Sequence, residues 1–165
     1  MFPSDLMTRA ATLIARYKDG GLMIATAESC TGGLVAGLLT EIPGSSAILE
    51  RGLVVYSNEA KIDLLGVPAA TIERHGAVSE ATARAMAEGA LKASPADVAV
   101  SVTGIAGPDG GTPMKPVGLV HFACARRGAS IVAREERFGD IGREAVRLAS
   151  VKVALEMLEA AAPKG

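Results

Sequence analysis

The sequence predicts an α/β fold: a three-layer α/β/α sandwich around a mixed, mostly parallel sheet of about five strands. Short apolar segments alternate with amphipathic helical segments along the 165 residues. The strand segments are apolar on both faces, which is typical of a sheet covered by helices on both sides. Arg127-Gly128 lies at the turn between the last two strand segments, which predicts an antiparallel hairpin and therefore a mixed sheet.

The individual elements follow from hydrophobic periodicity and from helix-breaking residues. Apolar residues at helical spacing predict helices at 4–18, 34–42, 58–65, 68–74, 79–93 and 142–162. Short apolar runs predict strands at 22–27, 51–57, 97–104, 117–125 and 129–138. Ser79 is the predicted N-cap of the fifth helix.

Length and composition predict one domain over residues 1–165 and exclude several classes of function. A formal net charge of −1 and 3% aromatic residues argue against a nucleic-acid partner, which needs basic surface and stacking side chains. The two cysteines lack a CxxC spacing and the two histidines lack the spacing of metal ligands. Charged residues interrupt every apolar run before the ~20 residues of a membrane span, and no signal peptide is evident. We therefore expect a cytoplasmic protein without a metal site.

The first candidate segment is TAESCTGG at 26–33, where a strand end meets hydroxyls, a thiol and two glycines at the start of a helix. Unpaired backbone N–H groups at a helix N-terminus favour an oxyanion or a phosphate. Ser29 is a candidate nucleophile, and the N–H groups from Cys30 to Gly32 are candidate oxyanion donors. The structural alternative is that Ser29 or Thr31 is a simple N-cap.

A second candidate, Lys61, lies one turn into a short helix that follows an apolar strand. It can act as a base if burial lowers its pKa well below ~10.4, whereas a solvated helix lysine is the alternative. Ser57 stands four residues before Lys61, but the helix needs Ser57 or Asn58 as its N-cap.

A third candidate is the glycine-rich loop GIAGPDGG at 104–111, which follows a buried strand. It contains neither the GxGxxG dinucleotide fingerprint nor a P-loop lysine. So many glycines indicate a close approach of backbone to a ligand, although a flexible turn is the alternative.

Cys30 is the rival nucleophile, because a helix N-terminus lowers the pKa of a thiol. A cysteine enzyme also wants a histidine base, and neither His75 nor His121 lies at a strand-to-helix junction. Only the scheme in which Ser29 attacks and neutral Lys61 is the base therefore provides a nucleophile, a base and oxyanion donors together.

Several motifs occur together and in order: TAESCTGG, GSS with RGLVVYSNEAK, HGAVSE, and VTGIAGPDGGTPMKPVG. With them the sequence resembles the C-terminal domain family of the competence/damage-inducible protein CinA, from about Leu6 to Leu158. Stand-alone members of that family include nicotinamide mononucleotide deamidases. The resemblance implies hydrolysis of the carboxamide of nicotinamide mononucleotide to nicotinate mononucleotide and ammonia, in pyridine nucleotide recycling. It implies no cofactor and no metal.

The resemblance also implies roles for particular residues. Ser29 is implied as the nucleophile, Lys61 as the base, and Tyr56 as a residue near the reacting amide that helps relay a proton. The residues implied to surround the substrate are Thr31, Thr103, Gly104 and Gly107.

For the charged parts of the substrate, Arg143 is the first choice to bind the phosphate and Arg147 the second. Glu28 or Asp109 is expected to face the pyridinium ring. A homodimer is expected because the short members of the family tend to self-associate.

Two other functions remain open. A non-catalytic nucleotide-binding or regulatory module of the competence/damage type would use the same loops without a serine–lysine contact. A DNA-binding role is the other, and the near-neutral charge weighs against it.

Overall fold

A computed structural model describes residues 2–163. The five strands are β1 (Ile24–Glu28), β2 (Leu49–Val54), β3 (Val98–Gly104), β4 (Leu119–Arg126) and β5 (Val132–Arg137). The six α-helices are α1 (Ser4–Asp19), α2 (Leu34–Thr40), α3 (Asn58–Leu65), α4 (Ala69–His75), α5 (Glu80–Lys92) and α6 (Arg143–Ala161). A short 3₁₀ helix at Ser45–Ala47 precedes β2.

The strands form one mixed sheet in the order β2-β1-β3-β4-β5, which confirms the predicted fold class. β1 pairs in parallel with both β2 and β3, while β4 is antiparallel to β3 and β5 is antiparallel to β4. The last two strands are thus the predicted hairpin. Because parallel strands end at the same edge, the carboxyl ends of β2, β1 and β3 lie side by side.

Helices cover both faces of the sheet. The chain moves from β1 outward to β2 and then back across β1 to β3, so right-handed crossovers place α2 and α5 on opposite faces. On one face α1, α2 and α6 pack around the larger apolar core. On the other face α5 packs on the sheet, with α3 and α4 against α5.

The α5 face of the sheet is built from small side chains, which are Ala25, Ala27, Ala99, Ala123 and Ala125. Alanines let a helix lie close to a sheet, and they explain how a chain with so few aromatic residues fills its interior. Within residues 2–163, no helix combines the length and apolar character needed to cross a membrane.

The observed elements differ from the prediction mainly at their ends. β2 stops at Val54 rather than at residue 57, because the Ser57 hydroxyl accepts a hydrogen bond of 3.0 Å from the N–H of Ala60 and caps α3. Ser79 caps α5 as predicted, with its hydroxyl 3.2 Å from the N–H of Thr82. β5 is shorter than predicted and largely exposed, since it is an edge strand rather than one buried on both faces.

Candidate active site

Ser29 lies at the point where β1 ends and the chain turns toward α2. Its N–H donates to the carbonyl oxygen of Val102 on β3 at 3.0 Å, so the edge of the sheet holds it. Its own carbonyl oxygen accepts from the N–H of Gly32 at 3.0 Å, which closes a tight turn. Gly32 and Gly33 have φ values of +60° and +93°, which disfavour any side chain other than hydrogen. The glycine pair is therefore needed to turn the chain within four residues.

The Glu28 carboxylate caps α2 from inside the protein. It accepts hydrogen bonds from the backbone N–H groups of Gly33, Val35 and Ala36 at 2.9–3.1 Å, and from the Thr26 hydroxyl at 3.1 Å. Its side chain is completely buried. The expectation that Glu28 faces the substrate's pyridinium ring is therefore corrected, because the carboxylate is fully occupied beneath the turn. The same contacts show that neither Ser29 nor Thr31 is the N-cap of α2.

Lys61 is buried, with only 1% of its surface exposed. Its Nζ lies 3.2 Å from Ser29 Oγ, 3.0 Å from the carbonyl oxygen of Val55 and 3.1 Å from that of Tyr56. Burial lowers the pKa of the Lys61 amine, because the charged form loses its hydration. Nζ is placed to donate to Ser29 Oγ and to the carbonyls, that of Ser57 at 3.5 Å included. When the amine is neutral, two N–H groups can still donate to the Val55 and Tyr56 carbonyls while the lone pair faces the Ser29 hydroxyl.

The position of α3, which carries Lys61, depends on a glycine in α5. A Cβ atom at Gly89 would overlap the carbonyl oxygen of Leu65, the last residue of α3. α5 therefore passes directly against the end of α3, and the two helices are fixed relative to each other.

Cys30 follows the serine but is a poor nucleophile. Burial raises the pKa of its thiol to about 12, which keeps it protonated at neutral pH. The expected lowering of this pKa by a helix N-terminus is wrong, since α2 begins only at Leu34 and Glu28 already caps it.

A cavity of about 260 Å³ opens above Ser29 at the carboxyl edge of the sheet. The predicted site residues that line it are Ser29, Cys30, Tyr56, Lys61, Thr103, Gly104, Gly107 and Arg143. Asp109, the alternative neighbour of the pyridinium ring, lines it as well. Glu28, Thr31 and Gly32 do not line it; Thr31 is completely buried behind the turn.

The end of strand β3 and its glycine-rich loop form another wall of the cavity. The Thr103 hydroxyl donates to the carbonyl oxygen of Ala77 at 2.8 Å and so holds the segment before α5 against the cavity. A Cβ atom at Gly104 would lie 2.7 Å from a methyl group of Val120, which leaves no room for a side chain. Gly107 follows, and its carbonyl oxygen accepts a hydrogen bond of 2.9 Å from the Arg143 guanidinium.

Tyr56 stands at the mouth of the cavity and is 64% exposed. Within the described chain its hydroxyl forms no hydrogen bond with Ser29 or Lys61; its backbone carbonyl, not its side chain, contacts the lysine.

The two candidate arginines have different surroundings. Arg143, the first residue of α6, lines the cavity. Arg147 lies one turn further along and donates to the carbonyl oxygens of Cys30 and Thr31 at 3.1 and 3.0 Å. Arg143 is therefore the better placed of the two for an anionic group in the cavity.

Other lining residues were not singled out as site residues by the sequence analysis: Asn58, Ala77 and Val78, and Ile105, Ala106 and Gly110 of the predicted loop. All lie within the motifs quoted above, so their motif membership was the available signal. Asn58 was considered only as an N-cap, and the others are apolar residues or glycines, which contribute backbone and shape to a cavity rather than a reactive side chain. Among residues 2–163, no cluster of three or more His, Cys, Asp or Glu side chains could hold a metal ion.

Together the fold and the site define an α/β protein with a buried serine–lysine pair at the carboxyl edge of a mixed sheet. The chain belongs to the CinA C-terminal domain family, whose sequence model matches residues 7–162, and the resemblance inferred from the motifs is confirmed.

Similar proteins fall into short and long forms. Nicotinamide-nucleotide amidohydrolase PncC of Escherichia coli (strain K12) is 52% identical over 159 residues, which are 96% of this chain and 95% of that protein. A putative competence-damage inducible protein of Symbiobacterium thermophilum is 58% identical over 128 residues, which are 78% of this chain but only 30% of that protein. The crystal structure of the competence/damage inducible protein CihA from Agrobacterium tumefaciens, 56% identical, superposes with a TM-score of 0.95 over 97% of each chain.

Proposed function

We propose that this protein is a nicotinamide-nucleotide amidase that hydrolyses nicotinamide mononucleotide to nicotinate mononucleotide and ammonia. The observation that carries the proposal is the 3.2 Å contact between Lys61 Nζ and Ser29 Oγ at the floor of the cavity. That distance is within the reach of a general base and its nucleophile. The choice of substrate rests on the similarity over nearly the full length of the PncC amidohydrolase.

The first half of the reaction forms an acyl-enzyme. The neutral Lys61 amine accepts the hydroxyl proton as Ser29 Oγ attacks the carboxamide carbon. The oxyanion that develops faces the N–H groups of Cys30 and Thr31, whereas the N–H of Gly32 is excluded from this role because it donates to the Ser29 carbonyl. Lys61 then returns its proton to the leaving nitrogen, directly or with help from the Tyr56 hydroxyl, and ammonia departs.

The second half hydrolyses the ester. A water molecule enters the position that ammonia has left, and Lys61 accepts its proton as the oxygen attacks the acyl carbon. The tetrahedral intermediate collapses, Ser29 Oγ regains a proton from Lys61, and the nicotinate carboxyl group is released and loses its remaining proton to solvent or to ammonia. The net reaction consumes one water and needs no external oxidant, reductant or metal ion.

The substrate would lie between the lysine and the glycine-rich loop. Arg143, at the first position of α6, would bind the phosphate through its guanidinium and through the nearby helix N-terminus. Asp109 would face the positive pyridinium ring, and Thr103, Gly104 and Gly107 would form the adjoining wall.

The test is an ammonia-release assay on the purified protein with nicotinamide mononucleotide, using nicotinamide and nicotinamide riboside as control substrates. We expect Ser29→Ala and Lys61→Ala each to abolish ammonia release without unfolding the protein. Lys92→Ala, which changes an exposed lysine, is the matched control. Near wild-type turnover by Ser29→Ala would disprove the assignment of Ser29 as the nucleophile. Nucleotide binding without turnover by the wild-type protein would favour the non-catalytic alternative.

We further propose a cytoplasmic location and a homodimer. Both cysteines are free and buried, which suits a reducing compartment. Light scattering coupled to gel filtration would test the dimer, and a monomeric mass across the working concentration range would disprove it.

A further inference from the structure

Arg147 contacts the nucleophile turn from the side away from the cavity. Its Nε donates to the carbonyl oxygen of Cys30 at 3.1 Å and its Nη2 to that of Thr31 at 3.0 Å. One guanidinium on α6 thus holds two successive peptide groups of the turn, from 117 residues further along the chain. The planar fork of donors makes arginine suited to such a double contact.

These contacts determine where the N–H groups of Thr31 and Gly32 point. A trans peptide is planar, so the N–H points opposite to the carbonyl of the same peptide group. With the Cys30 carbonyl directed at the guanidinium, the N–H of Thr31 must point away from it. The next N–H, that of Gly32, is oriented in the same way and reaches the Ser29 carbonyl at 3.0 Å. The side of the turn opposite Arg147 is therefore the side of Ser29.

The N–H groups of Cys30 and Thr31 are the donors left for an oxyanion. Within residues 2–163 neither donates to a backbone carbonyl, and the Cys30 N–H faces only its own thiol. A cation bound to the carbonyl end of a peptide polarises it and strengthens its N–H as a donor. A donor that is already oriented stabilises a developing oxyanion without reorganisation during the reaction.

Gly32 contributes space for the guanidinium. A Cβ atom at this position would lie 3.3 Å from Arg147 Nη2, closer than ordinary packing allows. Gly32 is therefore needed for a second reason besides its positive φ: a side chain there would crowd the Arg147 guanidinium.

We propose that Arg147 is a positioning residue for the oxyanion site and does not touch the substrate. Through the Cys30 carbonyl it orients the Thr31 N–H, one of the two free donors, and through the Thr31 carbonyl it holds the Gly32 N–H that closes the turn. This inference rests on the amidase function proposed above and replaces the earlier alternative of Arg147 as a phosphate ligand. Arg143 serves as the comparison, because it reaches the cavity itself.

The test separates kcat from KM. We expect Arg147→Met to lower kcat by about 10²-fold, the loss typical of one oxyanion donor, with KM within about threefold of wild type. Arg147→Lys, which keeps the charge and one contact, should recover part of kcat, and added guanidinium ions should partly rescue Arg147→Ala. Arg143→Met should act mainly by raising KM.

Three results would overturn the inference. A raised KM with unchanged kcat in Arg147→Met would make this arginine a substrate ligand. Unchanged kcat and KM would show that the contacts have no catalytic effect. A kcat loss that disappears at temperatures where the variant is fully folded would make the role one of stability alone.

A second readout does not depend on the natural substrate. A fluorophosphonate is attacked at phosphorus by Ser29 Oγ, which displaces fluoride, and its developing oxyanion uses the same donors. The rate is followed by intact mass, with Ser29→Ala as the unlabelled control. Suppose that the wild-type protein releases no ammonia from nicotinamide mononucleotide but Arg147→Met is labelled more slowly than wild type. The role of Arg147 would then stand, and the proposed substrate would be wrong. Equal labelling rates would refute the inference alone, and an unlabelled wild-type protein would refute both.

Discussion

The Ser29 hydroxyl and the Lys61 amine meet because β1 and β2 are adjacent and end together. The register pairs Glu28 with Val54, the last residues of the two strands, and the N–H of Val55 donates to the Glu28 carbonyl at 2.8 Å. Ser29 and the approach to α3 therefore leave the sheet side by side. A separation of 32 residues along the chain becomes 3.2 Å between Oγ and Nζ.

This contact predicts the pH dependence of turnover. Since the reaction needs neutral Lys61 and burial lowers the pKa of its amine, kcat/KM should rise with pH along a limb of unit slope. The midpoint should lie below the ~10.4 of a free lysine. Initial rates from pH 6 to 10 would measure it. A rate that falls as pH rises through this range would contradict the role of Lys61 as base.

The same shift predicts a stability difference for Lys61→Met, which should be inactive but folded. Between the lowered pKa and ~10.4 the unfolded wild-type chain holds a proton that the folded protein lacks. Wild-type stability should therefore gain from rising pH in that window, relative to the variant. Urea unfolding of both proteins at several pH values checks this, and a constant difference would argue against a shifted lysine.

A further prediction concerns the thiol beside the nucleophile. Burial raises the pKa values of Cys30 and Cys124 to about 12, so iodoacetamide at pH 8 should leave the native protein unmodified and active. The protein unfolded in guanidinium chloride should take up two alkyl groups, one per cysteine. Rapid alkylation of native Cys30 with loss of activity would instead revive the cysteine as nucleophile.

Much of this arrangement could be predicted from the sequence because it depends on local patterns. Apolar strands followed by helices predicted the layers, and Arg127-Gly128 predicted the hairpin. The strand-to-helix junctions then placed Ser29 and Lys61 at one edge, since parallel strands share that edge.

The functions of charged residues could not be predicted in the same way, because they depend on contacts between distant elements. Glu28 stands next to the nucleophile in sequence, yet its carboxylate points under the turn into the first turn of α2. Arg143 and Arg147 lie one helical turn apart. The way α6 packs places Arg143 at the cavity and Arg147 behind the nucleophile turn, and the sequence does not show this packing. Sequence spacing cannot distinguish the two faces of a turn.

Glu28→Gln should weaken the fold beneath the site. The carboxylate accepts three backbone N–H bonds, and an amide would place donors against some of them. We expect the free energy of unfolding to fall by about 2–3 kcal/mol, the value of hydrogen bonds to a charged group. Glu41→Gln, at an exposed position, should change it by less than ~0.5 kcal/mol. Chemical denaturation measures both, and equal effects would show that the cap contributes little.

The last prediction concerns two glycines inside helices that look equivalent in sequence. Gly89 of α5 has no room for a methyl group because the Leu65 carbonyl occupies the space, whereas a Cβ at Gly37 of α2 would meet only Phe2, at 3.8 Å. Gly89→Ala should therefore destabilise the protein by about 1–3 kcal/mol, as overpacking does. It should also lower kcat, because α3 must move and carries Lys61 with it.

Gly37→Ala is the matched control, since alanine is the better helix former by about 1 kcal/mol and finds ordinary packing space there. It should raise the thermal midpoint and leave turnover intact. Thermal unfolding and ammonia release, measured on both variants, separate the two effects. If Gly89→Ala were as stable and active as Gly37→Ala, the contact between α5 and the end of α3 would not be what fixes the lysine.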